Sequence, residues 1–135
     1  MAVAIVATAG SASANSFVTL AEANTFMEAR LNASTWETDA SDDTKNRALV
    51  EATREISVLS YDGNRTDDVQ ALSWPRQWAV DPDDPNGDYY ATTTVPQRIK
   101  DATCELAFQF VKAGTTDVAA LDSTDGIKRK KIDVL

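Results

Sequence analysis

The chain carries 21 Asp and Glu, 13 Lys and Arg, and no histidine. Without imidazole it lacks the usual general base near neutral pH, the usual activator of a serine or cysteine nucleophile, and the commonest transition-metal ligand. Carboxylate pairs are the acid–base device that the composition still permits. The carboxylates fall in runs such as Asp42-Asp43 and Asp81-Pro-Asp-Asp-Pro-Asn-Gly-Asp88, which is the chemistry of helix starts and solvated turns. The second run superficially looks like a calcium loop. Placing Gly87 at the invariant glycine puts Pro82 at the first ligand and Thr93 at the last, so the pattern fails. The single cysteine, Cys104, cannot form an internal disulfide and sits in a helical apolar pattern, as a small buried hydrophobe would. No phosphate loop, dinucleotide fingerprint or cysteine-based metal pattern occurs. The expectation is a protein that is not an enzyme, with no catalytic residue, cofactor or metal.

Two groups of residues could bind rather than react. Trp74, Arg76, Trp78, Tyr89 and Tyr90 could stack single-stranded bases, or could form a minor core beneath a long loop. The surrounding acids favour the minor core. Lys128, Arg129, Lys130 and Lys131, flanked by Ile127, Ile132 and Val134, could meet phosphates. Four bases on one end give only weak, salt-sensitive affinity, so a protein or assembly contact is the preferred reading.

The charge is uneven. Residues 36–94 hold thirteen acids against five bases, whereas residues 126–135 hold four bases against Asp133 alone. An acidic body with a short basic tail is a poor general nucleic-acid binder, but the tail suits an acidic partner. No apolar run approaches the roughly 20 residues of a membrane helix, so no membrane partner is expected. The apolar opening of residues 1–10 has no basic n-region and reads as a strand or arm rather than a secretory leader. With no leader, Asn32-Ala-Ser34 and Asn64-Arg-Thr66 are not read as glycosylation sites.

Three helices must position these groups. Thr19-Leu-Ala-Glu22 is a capping box, preceded by Phe17 and Val18 and followed at helical spacing by Leu20, Ala23, Phe26, Met27 and Leu31. Ser41-Asp42-Asp43 starts a second helix with the stripe Ala48, Leu49, Ala52, Ile56 and Leu59, ended by the turn Asp62-Gly63-Asn64. Thr94-Val-Pro-Gln97 reads as a second capping box. It opens a third helix that buries Ile99, Ala102, Thr103, Leu106 and Phe110 and stops at Gly114. A further helical turn is expected near Val118 and Leu121. Residues 2–8 suggest a short strand, and residues 126–135 an extended basic strand that would pair with another chain. The finish on Val134-Leu135 hints that the natural chain continues.

The expected fold is therefore mainly α: a small bundle of three to four helices with extended arms at both ends. Residues 1–16 would form the N-terminal arm. Residues 17–114 would form the helical core, with an irregular loop at 62–94. Residues 115–135 would end in the basic arm.

Three blocks go further. Gly10-Ser-Ala-Ser-Ala-Asn-Ser-Phe-Val-Thr-Leu-Ala-Glu-Ala-Asn-Thr-Phe26, Gln70-Ala-Leu-Ser-Trp-Pro-Arg76 and Val95-Pro-Gln-Arg-Ile-Lys-Asp-Ala-Thr-Cys-Glu-Leu-Ala107 resemble, in order and spacing, motifs of a family of tailed-bacteriophage proteins. Asn15, Thr19, Glu22, Trp74, Pro75, Arg76 and Pro96 are the positions that match. The family is often auto-named DnaT-like single-stranded-DNA-binding protein, and its members are similar to head–tail connector proteins, also called adaptor or head-completion proteins.

The connector likeness implies a virion protein at the neck, made in the host cytoplasm. It implies a ring of about twelve copies below a portal protein, with a tail-side connector, terminator or tube protein as the next partner. Double-stranded DNA would pass through the channel without sequence-specific binding. An acidic wall fits such a channel. Ile127, Lys128, Arg129, Lys130, Lys131, Ile132 and Val134 would then contact the portal or a neighbouring subunit. The other name implies a single-stranded-DNA-binding replication protein.

Overall fold

Thr19 begins the bundle. Its hydroxyl accepts from the Glu22 backbone N–H at 3.1 Å, and Glu22 Oε1 accepts from the Thr19 N–H at 3.0 Å, closing the expected capping box. Helix α1 follows, Leu20–Glu28, and buries Ala23 and Met27. In this computed structural model, which describes residues 3–114, the chain is a mainly α-helical bundle with very little strand. Leu31 departs from its expected place on the α1 stripe. The helix ends at Glu28, the chain turns through Asn32 at φ +61°, and Leu31 is left 89% exposed.

A π-helical turn, Thr35–Asp39, comes next and was not anticipated. It inserts Trp36, which is completely buried, into the centre of the core. The Trp36 Nε1–H donates to Asn24 Oδ1 on α1 at 3.0 Å, which satisfies the indole's polar atom. Lys45 covers the other side, with Nζ 5.9 Å from the ring centroid.

Helix α2, Asp42–Ser57, starts where Ser41 Oγ accepts from the Thr44 N–H at 3.2 Å, with Asp42 and Asp43 in the first turn. Its buried stripe is Lys45, Ala48, Leu49, Ala52, Thr53 and Ile56. Leu59, predicted as the last member, lies beyond the helix end and is 58% exposed.

Helix α3, Gln97–Ala113, packs mainly against α2, and also on α1 and the π-helical turn. The expected capping box at Thr94 does not form. Pro96 is itself the N-cap, so Thr94 lies two residues too early to reach the first free amides. The buried face is also rotated from the expected one. Thr103, Cys104, Ala107, Phe108 and Phe110 are buried, Ile99 and Leu106 are half-buried, and Ala102 is exposed. Contact with three neighbours, rather than one, decides which face is covered. Gly114 ends the helix in the left-handed conformation, its N–H donating to Phe110 O at 2.9 Å.

The core falls into two clusters. The larger gathers Met27, Trp36, Leu49, Cys104 and Phe108 between the helices. Burying side chains of the Leu49 or Met27 kind stabilises the fold by roughly 1.5–3 kcal/mol each. The smaller holds Phe17, Ile56, Trp74 and Ala79 beneath the irregular segment. An ion pair joins α1 to α3, Lys100 Nζ lying 2.8 Å from Glu22 Oε2, and Arg30, just beyond the end of α1, pairs with Glu105 of α3.

The N-terminal segment expected as a strand is an extended loop laid against α2. Asn15 closes it: Oδ1 accepts from the Val6 N–H at 2.8 Å and Nδ2 donates to Ala4 O at 2.9 Å. Val3 bridges to α2, its N–H donating to Asp43 Oδ1 at 3.0 Å and its carbonyl accepting from Asn46 Nδ2 at 3.0 Å. These side chains satisfy the backbone groups that a strand partner would otherwise take. The turn expected near Val118 and Leu121 lies outside the described residues.

Candidate functional site

The segment between α2 and α3 carries the aromatic and basic residues singled out from the sequence. Two short strands frame it: β1, Asn64–Arg65, pairs antiparallel with β2, Arg76–Gln77. Between them Gln70 is buried and acts as a local staple. Its Nε2 donates to Leu72 O at 2.8 Å and Pro75 O at 2.9 Å, while its Oε1 accepts from the Asp67 N–H at 3.0 Å. The Trp74–Pro75 peptide bond is cis. Trp74 is buried, edge-on to Tyr61 at 5.2 Å and to Tyr90 at 5.5 Å between centroids. Burial pushes the Tyr61 hydroxyl pKa up, against smaller opposing effects of Trp74 and Arg76.

Arg76 finishes this substructure. Its Nε donates to Asp62 O at 2.9 Å, one terminal nitrogen to Ser73 O at 3.1 Å and the other to Gly63 O at 2.7 Å. Those carbonyls take most of its five N–H donors, so Arg76 ties the Asp62-Gly63 turn to the turn at Ser73. Thus Trp74, Pro75 and Arg76 form a structural motif, with Gln70 and Tyr61 as members that sequence reasoning did not single out. Gly63 is another. A Cβ there would sit 2.1 Å from Gln77 O and 2.8 Å from Trp78 C, at φ +76°, so only glycine fits.

The remaining aromatics face the other way. Trp78 is 60% exposed and Tyr89 is 52% exposed, and their rings meet edge-on at 5.5 Å. Trp78 adopts φ +65°, a conformation that a bulky residue takes only when its surroundings enforce it. Ala79 O accepts from the Tyr90 N–H at 2.8 Å and Asp88 O from the Asp81 N–H at 3.0 Å, so residues 79–90 form a hairpin in which Val80 pairs with Tyr89. Its tip is a run of acids. Arg98 of α3 ties it down through Asp83, 2.5 Å away, and this contact holds the Asp83 carboxyl below its ordinary range. The predicted five-residue cluster is therefore two clusters. Trp74, Arg76 and Tyr90 belong to the inner one, and Trp78 and Tyr89 to the outer.

The basic side chains are distributed just as unfavourably for gripping a nucleic-acid backbone. Arg30, Lys45, Arg47, Arg54, Arg98 and Lys100 each pair with a carboxylate. Arg65 donates to Gln70 O at 2.9 Å. With Arg76, that commits every Lys and Arg of residues 3–114 except Lys112 to an acid or carbonyl of the same chain. Among the described residues no group of three or more His, Cys, Asp or Glu is arranged to hold a metal, and no helix is long and apolar enough to cross a membrane. Cys104 is buried, and burial, followed by the nearby carboxylates, pushes its thiol up to about 12.

Of the other positions marked by resemblance, Asn15 closes the N-terminal loop, Thr19 and Glu22 form the α1 cap, and Pro96 caps α3. Each has a structural task. Ile127, Lys128, Arg129, Lys130, Lys131, Ile132 and Val134 lie outside the described residues.

Comparison with curated proteins and comparison with solved structures each returned no match. A protein-family model matched along the whole chain, residues 1–135. On that match the chain belongs to the family described as "Putative DnaT-like ssDNA binding protein".

Proposed function

We propose that this chain is a virion structural protein, a head–tail connector (adaptor) subunit that forms a ring below the portal and joins the head to the tail. The observation that carries this reading is the state of its cations. A protein that grips DNA presents Lys and Arg to phosphates, and affinity follows the number it can present. Among the described residues every one of those side chains except Lys112 is engaged within the chain, on a body with excess acid. A surface of that kind lets DNA pass without holding it and leaves recognition to protein contacts. The motifs that resemble connector proteins add support from the sequence.

The second reading is single-stranded-DNA binding, and the family description favours it directly. The exposed Trp78 and Tyr89 rings are the feature most suited to it, because bases stack on such faces. The acids around them oppose it.

The mass of the complex formed with portal rings from the same virus tests the first reading. Saturable binding at one copy per portal subunit is expected; an intact, folded chain that does not bind overturns it. Titration with oligothymidine tests the second. Quenching of tryptophan fluorescence that weakens steeply with salt would put single-stranded DNA first.

A further inference from the structure

We infer that Asn86, at the tip of the 79–90 hairpin, is a self-modification site: the Gly87 backbone nitrogen closes on the Asn86 side chain, and the amide is lost to give aspartate and isoaspartate. This chemistry is independent of what the chain binds.

The step balances with water as the only co-reactant. The Gly87 nitrogen bonds to Asn86 Cγ, the Cγ–Nδ2 bond breaks, and Nδ2 leaves as ammonia with the proton that the Gly87 N–H gives up. A cyclic imide remains. Water then adds at one of its two carbonyls. Opening at Cγ leaves aspartate in a normal backbone. Opening at the main-chain carbonyl leaves isoaspartate, with the backbone running through the side chain. Glycine after the asparagine favours closure, because it has no Cβ to obstruct the approach of its nitrogen.

The sequence holds six asparagines, and only Asn86 precedes glycine. Its surroundings leave the reaction open. Asn86 and Gly87 are both exposed, and the Asn86 side-chain amide makes no hydrogen bond among the described residues. No atom beyond the adjacent residues lies within 4 Å of the place where a Gly87 Cβ would stand. The Gly87 N–H donates to Asp84 O at 3.1 Å, and this bond must break first. A single surface hydrogen bond of that kind slows the step by roughly tenfold or less. Three other asparagines have their amides held: Asn15 by Val6 and Ala4, Asn24 by the Trp36 indole, and Asn46 by Val3. Asn32 and Asn64 are exposed but precede Ala33 and Arg65, whose Cβ atoms hinder closure.

Asp62-Gly63 shows the opposite setting. A Cβ at Gly63 would collide with Gln77 O and Trp78 C, and Arg76 binds the carbonyls of both Asp62 and Gly63. The Gly63 nitrogen cannot swing onto the preceding side chain without displacing β2. At the hairpin tip nothing resists that movement, and its product changes the tip in two ways. Either product adds a carboxylate to a turn that already carries Asp81, Asp83, Asp84 and Asp88. Isoaspartate also lengthens the backbone between residues 86 and 87, which breaks the Gly87–Asp84 bond and shifts the pairing of Asp81 with Asp88.

The test is incubation of the full chain at mildly alkaline pH, followed by peptide mapping with mass spectrometry and detection of isoaspartate. Asn86 should convert about tenfold faster than Asn32 or Asn64, with isoaspartate the larger product and a rate that rises with pH. Asp62→Asn places the same dipeptide in the closed setting. The Asp62 side chain is exposed and makes no hydrogen bond among the described residues, so this variant keeps the fold, which thermal melting checks. Its new amide should persist while the chain is folded and should react about as fast as Asn86 once denaturant is added. Asn86→Gln, which would have to close a larger ring, should leave the hairpin unmodified. The inference is overturned if Asn86 stays intact in the folded chain while it reacts in denaturant, or if Asn32 or Asn64 reacts as fast. It is also overturned if the amide of Asp62→Asn reacts in the folded chain as fast as Asn86 does.

Discussion

Arg76→Lys discriminates between a structural and a ligand-binding role for the most conspicuous base in the irregular segment. The guanidinium bridges two turns, reaching Asp62 O at 2.9 Å and Gly63 O at 2.7 Å in one and Ser73 O at 3.1 Å in the other. A lysine ammonium is a compact point on a flexible stem and cannot span the same fork. It can keep one of these bonds, so about two are lost. A hydrogen bond to a charged group contributes about 1.5–3 kcal/mol when well sheltered. Arg76 is only half-buried, so water replaces part of the loss and the lower end applies. The expected destabilisation is therefore about 2–4 kcal/mol, or roughly 6–15 °C in Tm for a chain of this size. Thermal melting followed by circular dichroism reads it, with Arg54→Lys as the control. Arg54 is largely exposed and pairs with Glu51 on its own helix, a contact worth about 0.5 kcal/mol or less. If Arg76→Lys melts within about 2 °C of wild type but loses affinity for single-stranded DNA, Arg76 is a ligand-binding group and the reasoning fails.

Other outcomes follow from the same geometry. Leu49→Ala should cost about 2–5 kcal/mol, whereas Leu59→Ala should fall within about 0.5 kcal/mol of wild type, because only Leu49 is buried; denaturant unfolding of the pair checks this. Burial pushes the Glu22 carboxyl up, but Lys100 and the Thr19 cap together outweigh it and hold the group below its ordinary value of 4.5. A depressed folded-state pKa means that its stabilisation is present above 4.5 and is lost as pH falls through the folded-state value. Glu22→Gln, which preserves the cap but not the ion pair, should therefore narrow the stability gap to wild type below that pH, and an unchanged gap would refute the assignment. The Cys104 thiol, raised to about 12 and buried, should ignore a disulfide reagent at pH 8 until denaturant is added; fast reaction in the native state would contradict its burial.

The helices were legible because their signals are local. Thr19 with Glu22, and Ser41 before Asp42-Asp43, mark helix starts through bonds spanning three residues, and the structure retains both. Gly114 marks an end because only glycine enters the left-handed region without strain. Stripe membership failed at Leu31, Leu59 and Ala102, since a periodic pattern cannot report where a helix stops or which side its neighbours cover. The π-helical turn at Thr35–Asp39 left no periodic trace, because a five-residue element is shorter than the repeat that would reveal it.

The sequence by itself determined the class of the protein: helical, without histidine chemistry and acid-rich, with its bases in the minority, because composition and short-range spacing suffice for those properties. The tertiary structure alone decided what the aromatic cluster is. Trp74, Trp78, Tyr89 and Tyr90 are close in sequence and chemically alike. Yet the cradle of Gly63, Gln70 and Arg76 turns Trp74 inward and leaves Trp78 outward. Side-chain direction at such a turn depends on contacts between distant backbone segments, and no reading of residue types along the chain contains them.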